Sequence, residues 1–132
     1  MIESSLFYKK ETTMADFKIH HREGEGVYVI ELKGYLDAHT APELESAFQR
    51  LLNDKKFNII VNCRELAYIS SAGLGVFMAY IEDVRKNKGD IKLSNMSAKV
   101  YNVFDLLGFP LLYEIYKEEK EALSKFKTIQ KV

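Results

Sequence analysis

From Phe17 to Phe126 the chain alternates between short β-branched runs and amphipathic runs of helical period. That alternation constrains the fold more than any other feature. Strands separated by helices join through right-handed crossovers into a mostly parallel sheet. Phe17-Lys18-Ile19-His20 and Val27-Tyr28-Val29-Ile30-Glu31-Leu32 flank Gly24-Glu25-Gly26, which predicts a β-hairpin. Gly34 is expected to end the second strand, with Tyr35 to His39 as a loop. Thr40-Ala41-Pro42-Glu43 has the form of a capping box, Thr40 accepting from the Glu43 N–H and Glu43 reaching back. Pro42 suits a first turn. Leu44, Ala47, Phe48, Leu51 and Leu52 then share one helix face.

Phe57 to Cys63 reads as a strand whose centre is covered on both faces. Arg64 to Ser71 reads as a loop. The next helix turns Leu74, Phe77, Ile81 and Val84 inward and ends at Asn87-Lys88-Gly89, a glycine C-cap. Asp90 to Ser94 is a short strand. Asn95 or Ser97 caps a third helix, with Val100, Val103, Phe104 and Leu107 inward and Gly108 closing it. Leu111 to Tyr116 is a last strand, and Glu118 to Phe126 a last helix docking Leu123 and Phe126. The expected fold class is therefore α/β: a mostly parallel mixed sheet with an N-terminal β-hairpin and about four helices.

The 132 residues fit one domain over 16–127, after an extension over 1–15 and before a tail over 128–132. Lys+Arg 19 balances Asp+Glu 19, which recommends neither nucleic acid nor an anionic membrane as partner. Cys63 is the only cysteine, so no intramolecular disulfide forms, which suits a cytoplasmic location. Cys63 is expected to be a packed strand residue. No apolar run approaches the roughly 20 residues of a membrane span. Lys9 and Lys10 precede no apolar stretch, so the N-terminus does not read as a signal peptide.

Chemistry concentrates in Ala67-Tyr68-Ile69-Ser70-Ser71-Ala72-Gly73-Leu74-Gly75, between a strand and a helix. Ser70 or Ser71 is the N-cap, and a helix N-terminus tolerates an anion. Gly73 and Gly75 leave space beside the hydroxyls. Sites in such sheets gather beyond the carboxyl ends of the strands. That rule places Asp37, His39, Ser70, Ser71 and Asn95 on one edge. A hydrolase elbow needs G-x-S-x-G, and around Ser71 the first glycine is missing. Of the histidines only His39 falls on this edge, with no carboxylate placed to orient it. His20 and His21 are neighbours in a strand, point to opposite faces and make no metal pair; one is expected half-exposed and one packed. Gly73 and Gly75 do not open G-x-G-x-x-G, because Met78 stands at the last glycine position, and no P-loop is present. No cofactor and no metal are expected. Phosphorylation of an exposed hydroxyl here would add roughly −1.5 to −2 charge, which the helix tolerates and a packed partner does not.

Leu66 to Gly75, with Tyr68-Ile69-Ser70-Ser71-Ala72-Gly73-Leu74-Gly75, resembles the signature of the bacterial anti-sigma-factor antagonists, the STAS-domain proteins. Gly34-Tyr35-Leu36-Asp37 followed by Thr40 resembles their first shared block, and Phe104 to Leu112 a stretch near their C-terminal end. The resemblance covers roughly Asp16 to Phe126 and implies a STAS-like fold. It implies a binding protein, not an enzyme, that acts in transcription regulation by partner switching. The unphosphorylated antagonist binds an anti-sigma factor, which is also a serine-protein kinase, and frees the sigma factor. A serine phosphatase resets the switch. Carried over by position, the phosphorylation site is Ser71, and Ser70 stands where an aspartate is common. The partner-binding residues implied are Asp37, Thr40, Ser70, Ala72, Gly73, Leu74, Gly75 and Asn95. A STAS module that binds without phosphorylation is the alternative within the family, and a serine hydrolase is the alternative from another class.

Overall fold

Glu25 and Gly26 both adopt positive φ (55° and 77°), which turns Gly24 back onto Val27 in a two-residue hairpin. The computed structural model describes residues 17–131, with side chains through residue 126. The extension expected over 1–15 lies outside the described residues. Strand β1 (Phe17–Gly24) and strand β2 (Val27–Leu36) form the hairpin. Helix α1 (Ala41–Asn53), strand β3 (Asn58–Ile69), helix α2 (Ser71–Lys86), strand β4 (Asp90–Ser94) and helix α3 (Ala98–Leu106) follow. A 3₁₀ turn (Phe109–Leu111), strand β5 (Ile115–Tyr116) and helix α4 (Glu119–Lys131) complete the order. Residues 128–131, expected as a tail, continue α4. No helix among the described residues is long and apolar enough to cross a membrane.

The five strands lie in the order β1-β2-β3-β4-β5, with β1 antiparallel and every other pair parallel. This is the α/β mixed sheet with an N-terminal hairpin that the sequence predicts. Each crossover steps one strand in the same direction. Right-handed steps of that kind put α1, α2 and α3 on one face. There Leu44 and Phe48 of α1, Phe77 of α2 and Phe104 of α3 share a core with Ile30, Leu32, Ile59, Val61 and Leu93. Ring contacts Phe48–Phe77 and Phe77–Phe104, both at 5.8 Å, tie the three helices together. Helix α4 covers the other face, packing Ala122 and Phe126 on Val27, Val29 and Ile60. Lys92 is 1% exposed on that face. Its ammonium is held by Asp90 and Glu114 at 2.9 and 2.8 Å and lies 4.8 Å from the Phe126 ring centre.

Five expectations need correction. Gly34 does not end β2; it takes φ 103° inside the strand, where the register with β3 shifts. A glycine inside a strand here marks a bulge. For the same reason the loop expected from Arg64 is strand: β3 runs on to Ile69, and bulges hide its alternation. The C-cap at Gly89 is displaced, because Lys88 takes the left-handed φ of 67°. Gly89 is needed for space: a Cβ there would lie 2.0 Å from the Phe57 carbonyl oxygen. Leu107, expected inward, is 60% exposed. The last strand shrinks to Ile115–Tyr116, since Pro110 and the left-handed Gly108 (φ 77°) set a 3₁₀ turn before it.

Gly89→Ala should therefore destabilise the fold by at least the ~1–3 kcal/mol of an overpacked core. Urea melts of the variant against the parent chain measure it; an unchanged midpoint would contradict the contact with Phe57.

Candidate functional site

β2 and β3 are paired in parallel to their last residues, Tyr35 with Tyr68 and Leu36 with Ile69. The Ser70 N–H then donates to the Leu36 carbonyl at 2.9 Å. The chain segments that follow these strands, Asp37–Thr40 and Ser70–Ser71, are thereby held side by side. This joint edge is the candidate site.

Ser70 is the N-cap of α2, with extended backbone (φ −104°, ψ 174°). Its Oγ accepts from the Gly73 N–H at 3.5 Å, and its carbonyl takes the first helical bond from Leu74 N–H at 3.0 Å. Ser71 is the first helical residue and is exposed. Its hydroxyl makes no hydrogen bond among the described residues. The first turn of α2 carries no acidic residue, whereas Arg85 and Lys86 sit in its last turn. The partial positive charge at Ser71 is thus uncompensated by a carboxylate of its own turn. Below Ser71 the solvent side of α2 presents Ala72, Gly75, Met78 and Ala79, at helical spacing and without charge as far as Glu82. Met78 is 52% exposed.

The two glycines have different reasons. A Cβ on Gly73 would lie 2.7 Å from Leu36 Cγ and 3.0 Å from Ile69 Cγ1. Gly73 lets the start of α2 sit on the ends of β2 and β3. A Cβ on Gly75 would meet nothing within 4 Å. Gly73 and Leu74, expected at a partner surface, are buried; they shape that surface from behind.

Asp37 and Thr40 lock each other. The Asp37 N–H donates to Thr40 Oγ1 at 2.9 Å, and Asp37 Oδ1 accepts from the backbone N–H groups of His39 and Thr40 at 2.9 and 3.2 Å. The single Thr40 hydroxyl proton has its shortest acceptor in the Tyr35 carbonyl, at 2.8 Å. The capping box expected at Thr40 is not formed, because this hydroxyl is already engaged behind the helix; Asp37 serves the start of α1 instead. His39 is exposed, and no hydrogen bond joins a histidine to Ser70 or Ser71 among the described residues. His20 and His21 are both exposed, so neither is packed as expected; an edge strand leaves both faces partly open. Cys63 is fully buried, and that burial pushes its thiol up to about 12.

The sheet does not bring Asn95 to this edge. Ser94 pairs with Asn62, which pairs with Glu31. The edge at Leu36 lies five residues, or about 17 Å of strand rise, beyond that level. Asn95 takes φ 61°, and Ser97 rather than Asn95 caps α3, accepting from Val100 N–H at 3.1 Å. The sequence reading also missed Tyr35 and Tyr68, whose rings lie 5.9 Å apart and are 52% and 42% exposed. The signal was there in their outward phase, opposite Leu36 and Ile69.

Three variants test this geometry. Asp37→Ala should cost ~1–2 kcal/mol, as loss of a helix-start acceptor does, read as a lowered urea midpoint. Gly73→Val should cost ~1–3 kcal/mol by overpacking, while Gly75→Ala should be neutral or stabilise by up to ~1 kcal/mol through helix propensity. Equal melts for Gly73→Val and Gly75→Ala would contradict the assignment.

Known proteins share this fold. The STAS domain family model matches residues 18–122. The anti-sigma F factor antagonist of Paenibacillus polymyxa is 26% identical over 114 residues, covering 83% of this chain and 92% of that protein. The crystal structure of an anti-sigma factor antagonist from Mycobacterium paratuberculosis superposes with a TM-score of 0.77 at 22% identity, over 83% of this chain and 92% of that one. The structure of the Bacillus cell fate determinant SpoIIAA in its phosphorylated form gives a TM-score of 0.64 at 22% identity, over 83% and 98%. These structures share the fold of this sheet and its helices, and with the family model spanning most of its length, this chain belongs to the STAS domain family.

Proposed function

We propose that this protein is an anti-sigma-factor antagonist that works by partner switching in the cytoplasm. Its unphosphorylated form binds an anti-sigma factor that is also a serine-protein kinase, and so releases a sigma factor. Phosphate on Ser71 switches the binding off, and a serine phosphatase restores it. Binding, not catalysis, is the activity. The names of the relatives support the antagonist role, and the Bacillus protein of the same fold has a phosphorylated form.

The observation that carries the reading is the division of labour between the adjacent serines. Ser70 is held as the cap, while Ser71 stands exposed as the first residue of a long helix with its hydroxyl unengaged. A free hydroxyl can approach a γ-phosphate; one that accepts from the backbone is less free to. The docking face in this reading is Ser71, Ala72, Gly75 and Met78. Gly73 and Leu74 support it from the core, and Asp37 with Thr40 positions the neighbouring loop. Asn95 is left outside it. A dianion at Ser71 faces the positive end of α2, so the fold keeps its stability. A partner packed over an uncharged helix face must desolvate that dianion, and binding falls.

Kinase treatment should therefore add one phosphate per chain, at Ser71. Ser70→Ala should remain a substrate and Ser71→Ala should be inert. Fragment-ion mass spectrometry locates the group, and phosphate on Ser70 would overturn the assignment. Ser71→Asp should melt like the parent but bind the anti-sigma factor at least tenfold more weakly, about 1.4 kcal/mol. Calorimetric titration decides it; equal affinity would remove Ser71 from the switch.

A further inference from the structure

The two faces of β3 and β4 differ in character. Toward α1, α2 and α3 these strands present Ile59, Val61, Ile91 and Leu93, all fully buried in the main core. Toward α4 they present Ile60, Asn62, Lys92 and Ser94. The run Asp90-Ile91-Lys92-Leu93-Ser94 alternates polar with apolar, the pattern of a strand with one face in water. Yet that second face is shut away: Asn62 is 6% exposed, Lys92 1% and Ser94 0%. Among the described residues no other polar or charged residue is buried, and all three lie under one helix.

Helix α4 does little for these groups. The Lys92 ammonium is paired with Asp90 at 2.9 Å and with Glu114 at 2.8 Å, and neither carboxylate belongs to α4. From the helix Lys92 receives the Phe126 ring, whose centre lies 4.8 Å away. Ser94 Oγ makes no hydrogen bond among the described residues. Asn62 does bond to the helix, donating to Glu119 at 2.9 Å. The Glu119 carboxylate also accepts from Arg22 at 2.6 and 3.1 Å, but Arg22 is exposed, and an ion pair near the surface adds little. The apolar hold of α4 is Ala122 and Phe126 on Val27, Val29 and Ile60, a cluster separate from the main core. Departure of α4 would therefore leave the main core intact and Lys92 still paired with both carboxylates. Elements with few buried apolar contacts are the ones that open locally.

We propose that α4 is a removable cover. It lifts from the sheet as a unit while the rest of the fold stays closed, and the lifted state presents Ile60, Asn62, Lys92 and Ser94 as a second accessible face. This face lies across the sheet from α2, so it opens without disturbing the edge at Ser71. Nothing in the opening depends on phosphate at Ser71.

Hydrogen exchange of the full chain in rising, sub-denaturing urea tests the cover. The amides of Leu123 to Phe126 should share one opening whose urea dependence is less than about half that of the Ile59, Val61, Ile91 and Leu93 amides. A single urea dependence for both sets would overturn the proposal. Lys92 gives a second readout. Acetic anhydride in native buffer should acetylate it, with the site located by peptide mass spectrometry. Phe126→Ala should raise that rate at least about tenfold by removing the main apolar contact of α4. Phe48→Leu opens a cavity in the main core, away from α4, and should leave the rate within about twofold while lowering the urea midpoint. Lys92 that reacts only once urea unfolds the chain, or that speeds up with Phe48→Leu as much as global unfolding does, would sink the idea. If Phe126→Ala does not fold, exchange in the parent chain decides alone.

Discussion

The parallel pairing of β2 with β3, carried to the last residue of each strand, is the contact on which the candidate site rests. It puts Leu36 beside Ile69 and lets the Ser70 N–H find the Leu36 carbonyl. Two loops distant in sequence are thus fixed against each other by main-chain bonds, which do not depend on side-chain identity. The pairing survives two register shifts. Those bulges let a long β3 keep Leu66 and Ile69 in the core while Tyr68 faces outward.

The polar groups nearest the edge are mostly engaged. Asp37 Oδ1 is occupied by the backbone N–H groups of His39 and Thr40, and the Thr40 hydroxyl is tied to the end of β2. Ser70 serves the helix start. Each arrangement satisfies groups that the end of a strand or the start of a helix leaves open. Ser71 stands out by contrast: it is exposed and unengaged at the positive end of α2. The edge is therefore a rigid frame around an exposed serine hydroxyl, which suits the proposed switch.

Gly73 connects the frame to the core. The start of α2 approaches Leu36 and Ile69 so closely that any Cβ would collide, so the position of Ser71 depends on a residue that never reaches the surface. Packing beneath a site and contact at its surface are different duties, and here adjacent residues of the same short run perform them.

Much of this was legible in the sequence. The period of Leu44, Ala47, Phe48 and Leu51, and of Leu74, Phe77, Ile81 and Val84, marks helix faces that the structure buries. Strand–helix alternation implies a mostly parallel sheet with one antiparallel hairpin, and that is the sheet observed. A serine run before a helical period signals a cap, and Ser70 is that cap. Local sequence determines such features because they depend on neighbours within one turn or one pleat. Tertiary structure decided the rest. Bulges break the alternation of β3, so its full length emerges only from pairing with β2. Whether Gly73 or Gly75 is needed depends on what lies across the core from each. Thr40 leaves its capping box because Asp37 and the Tyr35 carbonyl compete for its hydroxyl in three dimensions. Asn95 falls short of the edge because β4 is shorter than its neighbour. In each case the deciding partner lies outside the local segment, where the periodicity of a single segment carries no information.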